Sequence, residues 1–172
     1  MTVKDIYDYL NLIAPFDTAE EWDNCGLTVG SFSKAVKKIY IALDVTNDVL
    51  EDAKSFGADL VITHHPMIFN PVSQILCDSL VYKAVVSGIS FIASHTCLDK
   101  AHGGVNHCLA NKVGIKNLKT SENDEFLKYG EIEPCTAEEF AKKIKSALGG
   151  AVSFTDAGKI IKTAALCSGS GG

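Results

Sequence analysis

The stretch Gly57-Ala58-Asp59-Leu60-Val61-Ile62-Thr63-His64-His65-Pro66 decides the fold. Asp59–Thr63 is a short, mostly apolar, β-branched run, the pattern of a strand buried on both faces. Gly57 before it suits a helix end, and Pro66 after it removes a ladder donor and holds His65 extended. Working upstream, Thr46 can cap a helix whose apolar positions are Val49, Leu50 and Ala53, and Ile39-Tyr40-Ile41-Ala42-Leu43 precedes it as another buried strand. Downstream, Ser73 is expected to open a helix through Leu76, Leu80 and Ala84 that closes at Gly88, and Ile89–Ala93 forms the next strand. Strand and helix alternate at the spacing of βαβ units, so the fold class is α/β with a mainly parallel, helix-covered sheet. The outlying segments are a helix with Val3, Ile6, Leu10 and Ile13 on one face, ended by Pro15, and a loop carrying EEWDNCGLTVG at 20–30.

Around Glu122–Glu125 the chain turns polar, which places the boundary between a first α/β lobe at 1–121 and the start of a second lobe at 122–172. In that second part, Phe126–Ile132 reads as a strand. Thr136-Ala137-Glu138-Glu139 reads as a capping box for a helix that buries Phe140, Ile144 and Leu148 before Gly149-Gly150. A last strand, Ile160–Leu166, runs into CSGSGG. The run 161–166 lines up with 38–43 as the start of a second copy of the first βα unit. Two expectations stand at this ending: a flexible tail or linker, which composition alone favours, and the first half of a two-lobed repeat fold truncated at its C-terminal end.

The composition narrows the function classes. In 172 residues and 18.4 kDa, 47% hydrophobic against 22% charged is enough to build a core and excludes disorder and coiled coil. Net charge is -5, and all sixteen basic residues are lysine. Without arginine there is no planar fork for guanine or phosphate, so sequence-specific nucleic-acid binding is not expected. No apolar run is long enough for a membrane span and no signal-peptide pattern opens the chain, so no membrane partner and a cytoplasmic location are expected. The six scattered cysteines read as reduced and mostly core.

Four of the five histidines lie in or just after two loops that follow predicted strands. The first is Thr63-His64-His65-Pro66 and the second Ser94-His95-Thr96-Cys97-Leu98-Asp99. Neighbouring parallel strands bring these loops together at the carboxyl end of the sheet, where open α/β sheets hold ligands. Imidazoles plus the Asp99 carboxylate suit zinc, iron, manganese or nickel. Cys97 is a weaker candidate ligand. His102 and His107 read as ordinary loop and helix residues, and Trp22 and Asp23 as a packing anchor and a cap.

These segments resemble one family closely: the NIF-three-like (Ngg-interacting factor) dinuclear metal centre hexameric proteins, often labelled GTP cyclohydrolase one type two homologues. The likeness is carried by EEWDNCGLTVG (20–30), IALDVTNDVLEDA (41–53), GADLVITHHPMIF (57–69), SHTCLDKAHGGVNHCLA (94–110) and YGEIEPCTAEEFAKKIKSALG (129–149). The resemblance implies two related α/β halves, two divalent metal ions per complete site and a homo-hexamer. His64, His65 and Asp99 match metal ligands, and His95 matches a residue beside the site suited to moving a proton. A late His and Glu that complete the family's site have no counterpart in this sequence, so the resemblance implies at most one weakly held ion for this chain. The function it implies is a metal-dependent hydrolase acting on a small nucleotide-like or phosphorylated molecule; the alternative is a non-catalytic metal-handling or adaptor protein.

Overall fold

Helix α1 (Val3–Ile13) opens on a reciprocal cap: the Thr2 hydroxyl accepts from the Asp5 amide, and the Asp5 carboxylate accepts from the Thr2 amide at 2.7 Å. The computed structural model describes residues 1–169, which fall into two units, Met1–Leu98 and a second from Asp99 onward.

The first unit is built on a four-stranded sheet of β1 (Gly26–Val29), β2 (Ile39–Ala42), β3 (Leu60–Thr63) and β4 (Ser90–Ala93), in the order β1-β4-β3-β2. β2, β3 and β4 are parallel, as expected; β1 joins β4 antiparallel. Two helices make the crossovers, α2 (Asn47–Phe56) and α3 (Leu80–Val86). Thr46 caps α2 through the Val49 amide, and Gly57 ends it at φ 72°, a left-handed conformation that favours glycine. Side chains of β3 alternate between two cores. Val61 packs with Leu50, Ala53, Ala84 and Phe91, and Leu60 packs with Val3, Val36 and Ile92.

Two local expectations fail. Helix α3 starts at Leu80, capped by Ser79, and not at Ser73. Ile75 and Leu76 are exposed, so an earlier helical turn would bury nothing to offset its nucleation cost. The stretch 21–30 holds strand β1. Gly26 opens it and Gly30 follows it, at φ 101° and 114°, and these turn-type residues hide a four-residue strand inside a loop-like composition.

The second unit contains α5 (Val105–Val113) and α6 (Ala137–Leu148), with β5 (Lys116–Thr120), β6 (Lys128–Cys135) and β7 (Ile161–Leu166) in the order β5-β6-β7. Both pairings are antiparallel, so the parallel pattern belongs to the first unit alone. The polar residues 121–127 connect β5 to β6. Ala110, Val113, Ile115 and Ile132 form the core, against which Phe140 and Ile144 of α6 pack. The capping box at Thr136 is present as read from sequence. All six cysteines are free thiols, but only Cys97 is buried, a correction to their reading as core residues: Cys77 and Cys108 are exposed. Among the described residues no helix is long and apolar enough to cross a membrane.

Candidate metal centre

Strand register assembles the site. Ala42, Thr63 and Ala93 are partners across the three parallel strands, and Gly26 of the antiparallel β1 sits opposite Ala93. The residues that leave β2, β3 and β4 and those that enter β1 therefore meet at one edge: Asp44, His64 and His65, Ser94 and His95, and Asp23 to Cys25. Backbone bonds extend the ladder one step beyond the strands, from the His65 amide to Leu43 O at 3.0 Å and from the Ser94 amide to Thr63 O at 2.9 Å. The Thr63 hydroxyl donates to His65 O at 2.8 Å and pins the turn before Pro66.

Three imidazoles face one another there. Ring centroids are separated by 4.9 Å (His64–His65), 5.1 Å (His64–His95) and 5.4 Å (His65–His95). One ligand-type atom from each lies within 4.8 Å of the others. Each ring is oriented from behind through Nδ1: His64 against Ser94 O at 3.0 Å, His65 against Asp44 Oδ1 at 2.6 Å, and His95 against Asp23 Oδ1 at 3.0 Å. A carbonyl and two carboxylates only accept, so each Nδ1 carries a proton and Nε2 is the nitrogen left to face a metal. This is how metal-binding histidines are commonly set. Neutral imidazole nitrogens of this kind fit a borderline divalent ion such as zinc, iron, manganese or nickel.

The two carboxylates differ in setting. Asp44 and His65 are about half exposed, at 50% and 44% of the side chain. The Asp23 side chain is fully shielded and accepts from the Asn24 amide, the Thr96 amide and hydroxyl, His95 Nδ1 and the Cys25 thiol. Burial pushes its pKa upward, but the hydrogen bonds from Thr96 and His95 prevail and hold it at about 2. Cys25 and Cys97 meet at 3.5 Å between sulfurs, and the Cys97 sulfur and burial together push the Cys25 thiol up. Cys97 lies outside the imidazole group.

Of the residues singled out from sequence, His64, His65 and His95 come together. Asp99 lies on α4 (Thr96–Lys100), is buried, and accepts from the Ser168 hydroxyl at 3.4 Å; it is not part of the three-imidazole group. Asp23 and Trp22 do more than the cap and packing anchor expected of them. Asp23 is the hub that ties the loop before β1 to α4. Trp22 is 57% exposed and so is no packing anchor; its ring stands 5.6 Å from Phe69 and 6.3 Å from His95. The available signal was the acid at 23 close before β1, but its partner Thr96 is 73 residues away, beyond any local pattern.

Comparison with known proteins follows the same line. The Duf34/NIF3 (NGG1p interacting factor 3) family model matches residues 1–172. A Clostridium perfringens protein named GTP cyclohydrolase 1 type 2 homolog is 34% identical over 184 residues, spanning 99% of this chain and 70% of that protein. The crystal structure of a Staphylococcus aureus hypothetical protein superposes with a TM-score of 0.90 at 28% identity, over 99% of this chain and 73% of the other. Reduced HcgD from Methanocaldococcus jannaschii is similar with a TM-score of 0.77 at 32% identity, over 87% and 61% of the respective chains.

Proposed function

Because the chain belongs to the Duf34/NIF3 family, we propose that it is a metal-dependent hydrolase acting on a small nucleotide-like or phosphorylated molecule, with the imidazole group as its centre. The observation that carries the proposal is the convergence of three imidazoles whose Nδ1 atoms are all backed by acceptors. In this reading His64 and His65 hold a divalent ion, and Asp99 supplies the carboxylate ligand that the family resemblance implies. The bound ion supplies Lewis acidity toward water and a substrate oxygen.

The chain's own residues do the rest. Asp23, ionised at every physiological pH, holds the His95 ring by Nδ1 and leaves Nε2 to take up and return a proton. Asp44 orients His65 in the same way at the open side of the group. Trp22 and Phe69, 57% and 44% exposed, offer flat apolar surfaces beside His95 against which a planar heterocycle can stack. Assembly as a homo-hexamer and a cytoplasmic location belong to the same proposal. Ile41 and Leu43, exposed in and just after edge strand β2, are the kind of surface an assembly covers.

A second reading is non-catalytic metal handling. The half-exposed His65–Asp44 pair favours it, because an ion with an open side exchanges readily. The test is metal content by elemental mass spectrometry on protein purified without chelator, followed by turnover on a panel of nucleotides and phosphate esters. The hydrolase reading expects stoichiometric metal in the wild type, its loss in His65→Ala, and retained metal with lost turnover in His95→Gln. Loss of metal in His95→Gln as well makes that ring a third ligand. Metal without turnover selects the handling role, and an empty wild type refutes both.

A further inference from the structure

His102 and His107, which read from sequence as ordinary loop and helix residues, stand together in the second unit with ring centroids 4.6 Å apart, edge to face. They line a cavity of about 260 Å³ whose other walls include Lys100, Lys119 and Lys128. Among the described residues no carboxylate lines it, in a chain whose net charge is -5. Five cation-capable side chains around one cavity, against the overall charge, are not what an even scatter of surface charge produces.

We propose that this cavity binds a phosphate-type oxyanion, either free or as the phosphate of a small phosphorylated molecule. Its parts divide the work. Lys128 is buried, and its ammonium is held by Lys100 O at 3.0 Å, Thr120 Oγ1 at 3.0 Å and Glu125 O at 2.9 Å, so it supplies fixed positive charge and no direct ligand bond. Lys100 lies 3.4 Å from Glu125 and 5.1 Å over the Phe126 ring, so its charge is partly balanced from outside the cavity. Lys119 and the two imidazoles are the direct contacts: each neutral imidazole has one N–H to donate, and the ammonium has three. A paired-histidine metal site is the competing use of such rings. Three lysines in the walls disfavour a cation there, since like charges repel and the repulsion strengthens where water is partly excluded.

The cavity shares no residue with the three-imidazole group, and the experiment keeps the two apart. Inorganic phosphate and glycerol phosphate are titrated calorimetrically into the chelator-treated 172-residue chain. Alongside it are titrated the double variant His102→Gln/His107→Gln, the single variant Lys119→Ala, and His65→Ala. Binding at about 0.1–1 mM is expected for at least one ligand. Each cavity variant should weaken it about tenfold and His65→Ala should leave it unchanged. Tighter binding of glycerol phosphate identifies a phosphorylated molecule as the ligand class, and equal binding identifies the free anion. Lys119 is exposed, so Lys119→Ala keeps the test valid even if the double variant does not fold. No heat up to about 10 mM of either ligand, unchanged affinity in both cavity variants, or loss of phosphate binding in His65→Ala overturns the proposal. So does zinc binding that depends on His102 and His107 without phosphate binding.

Discussion

Replacing Asp23 by Asn tests whether the buried carboxylate is the support of the site or a bystander. The side chain is fully shielded and receives donors from Asn24, Thr96, His95 and Cys25. Its pKa falls from the ordinary 3.8 to about 2; at about 1.4 kcal/mol per unit, that is about 2–3 kcal/mol of stability carried by the charge. Asn also turns one acceptor oxygen into an NH2 group facing donors, which costs about 1–3 kcal/mol more. The expected loss is about 3–5 kcal/mol at neutral pH. Because the carboxylate pKa is depressed by folding, its contribution is complete above 3.8 and fades as pH falls from there toward 2. The gap between wild type and variant should therefore narrow by about 2 kcal/mol between pH 5 and pH 2. Urea unfolding of both proteins, metal-stripped, followed by far-ultraviolet circular dichroism at several pH values, measures this directly. A loss below about 1 kcal/mol, or a gap that does not change with pH, refutes the reasoning.

Three further substitutions probe the scaffold. Gly30→Ala places a Cβ 2.8 Å from the Ser90 Cα at φ 114°, and should cost about 2–5 kcal/mol by thermal unfolding, from backbone strain and overpacking together. Lys128→Met strands three acceptors and should cost about 1–3 kcal/mol. Burial lowers the wild-type Lys128 pKa, so the unfolded chain binds more protons between that lowered value and 10.5; wild-type stability should rise with pH across that window, and the variant should lose that rise in urea midpoints. Thr136→Ala removes one half of the α6 capping box and should cost about 1 kcal/mol in the same unfolding assay.

What was legible in the sequence is what local rules govern. The parallel core β2-β3-β4 follows from β-branched runs spaced by capped helices, and Thr46, Gly57 and Thr136 mark their helix boundaries as side-chain chemistry dictates. The chain's antiparallel parts were harder. β1 hides between two glycines, and β5 (Lys-Asn-Leu-Lys-Thr) is largely exposed and polar, with a bulge at Asn117 (φ 50°), so no alternation announces it. In the site, histidines at strand ends were readable because strand order and direction alone carry His64, His65 and His95 to one edge. The residues behind them were not. Asp44 reaches His65 across 21 residues and Asp23 reaches His95 across 72, separations fixed by strand register and invisible to any window.

That register also explains why the two supports differ. Asp44 follows β2, the edge strand of the sheet, and the His65–Asp44 pair stays half exposed. Asp23 precedes β1, which folds back antiparallel on β4 and lays its entering loop over α4; the Asp23–His95 pair is closed by Thr96 and the two cysteines. An exposed hydrogen-bonded pair contributes little to stability and adjusts easily, whereas a shielded carboxylate with five donors is held from every side. The imidazole group therefore has one fixed wall and one yielding wall. A proton-handling ring needs the fixed one, so that its tautomer is the same at every turnover. A ligand that must let metal or substrate in and out needs the yielding one. In the proposed function His95 on Asp23 takes the first role and His65 on Asp44 the second, and the sheet order β1-β4-β3-β2 sets which ring meets which wall.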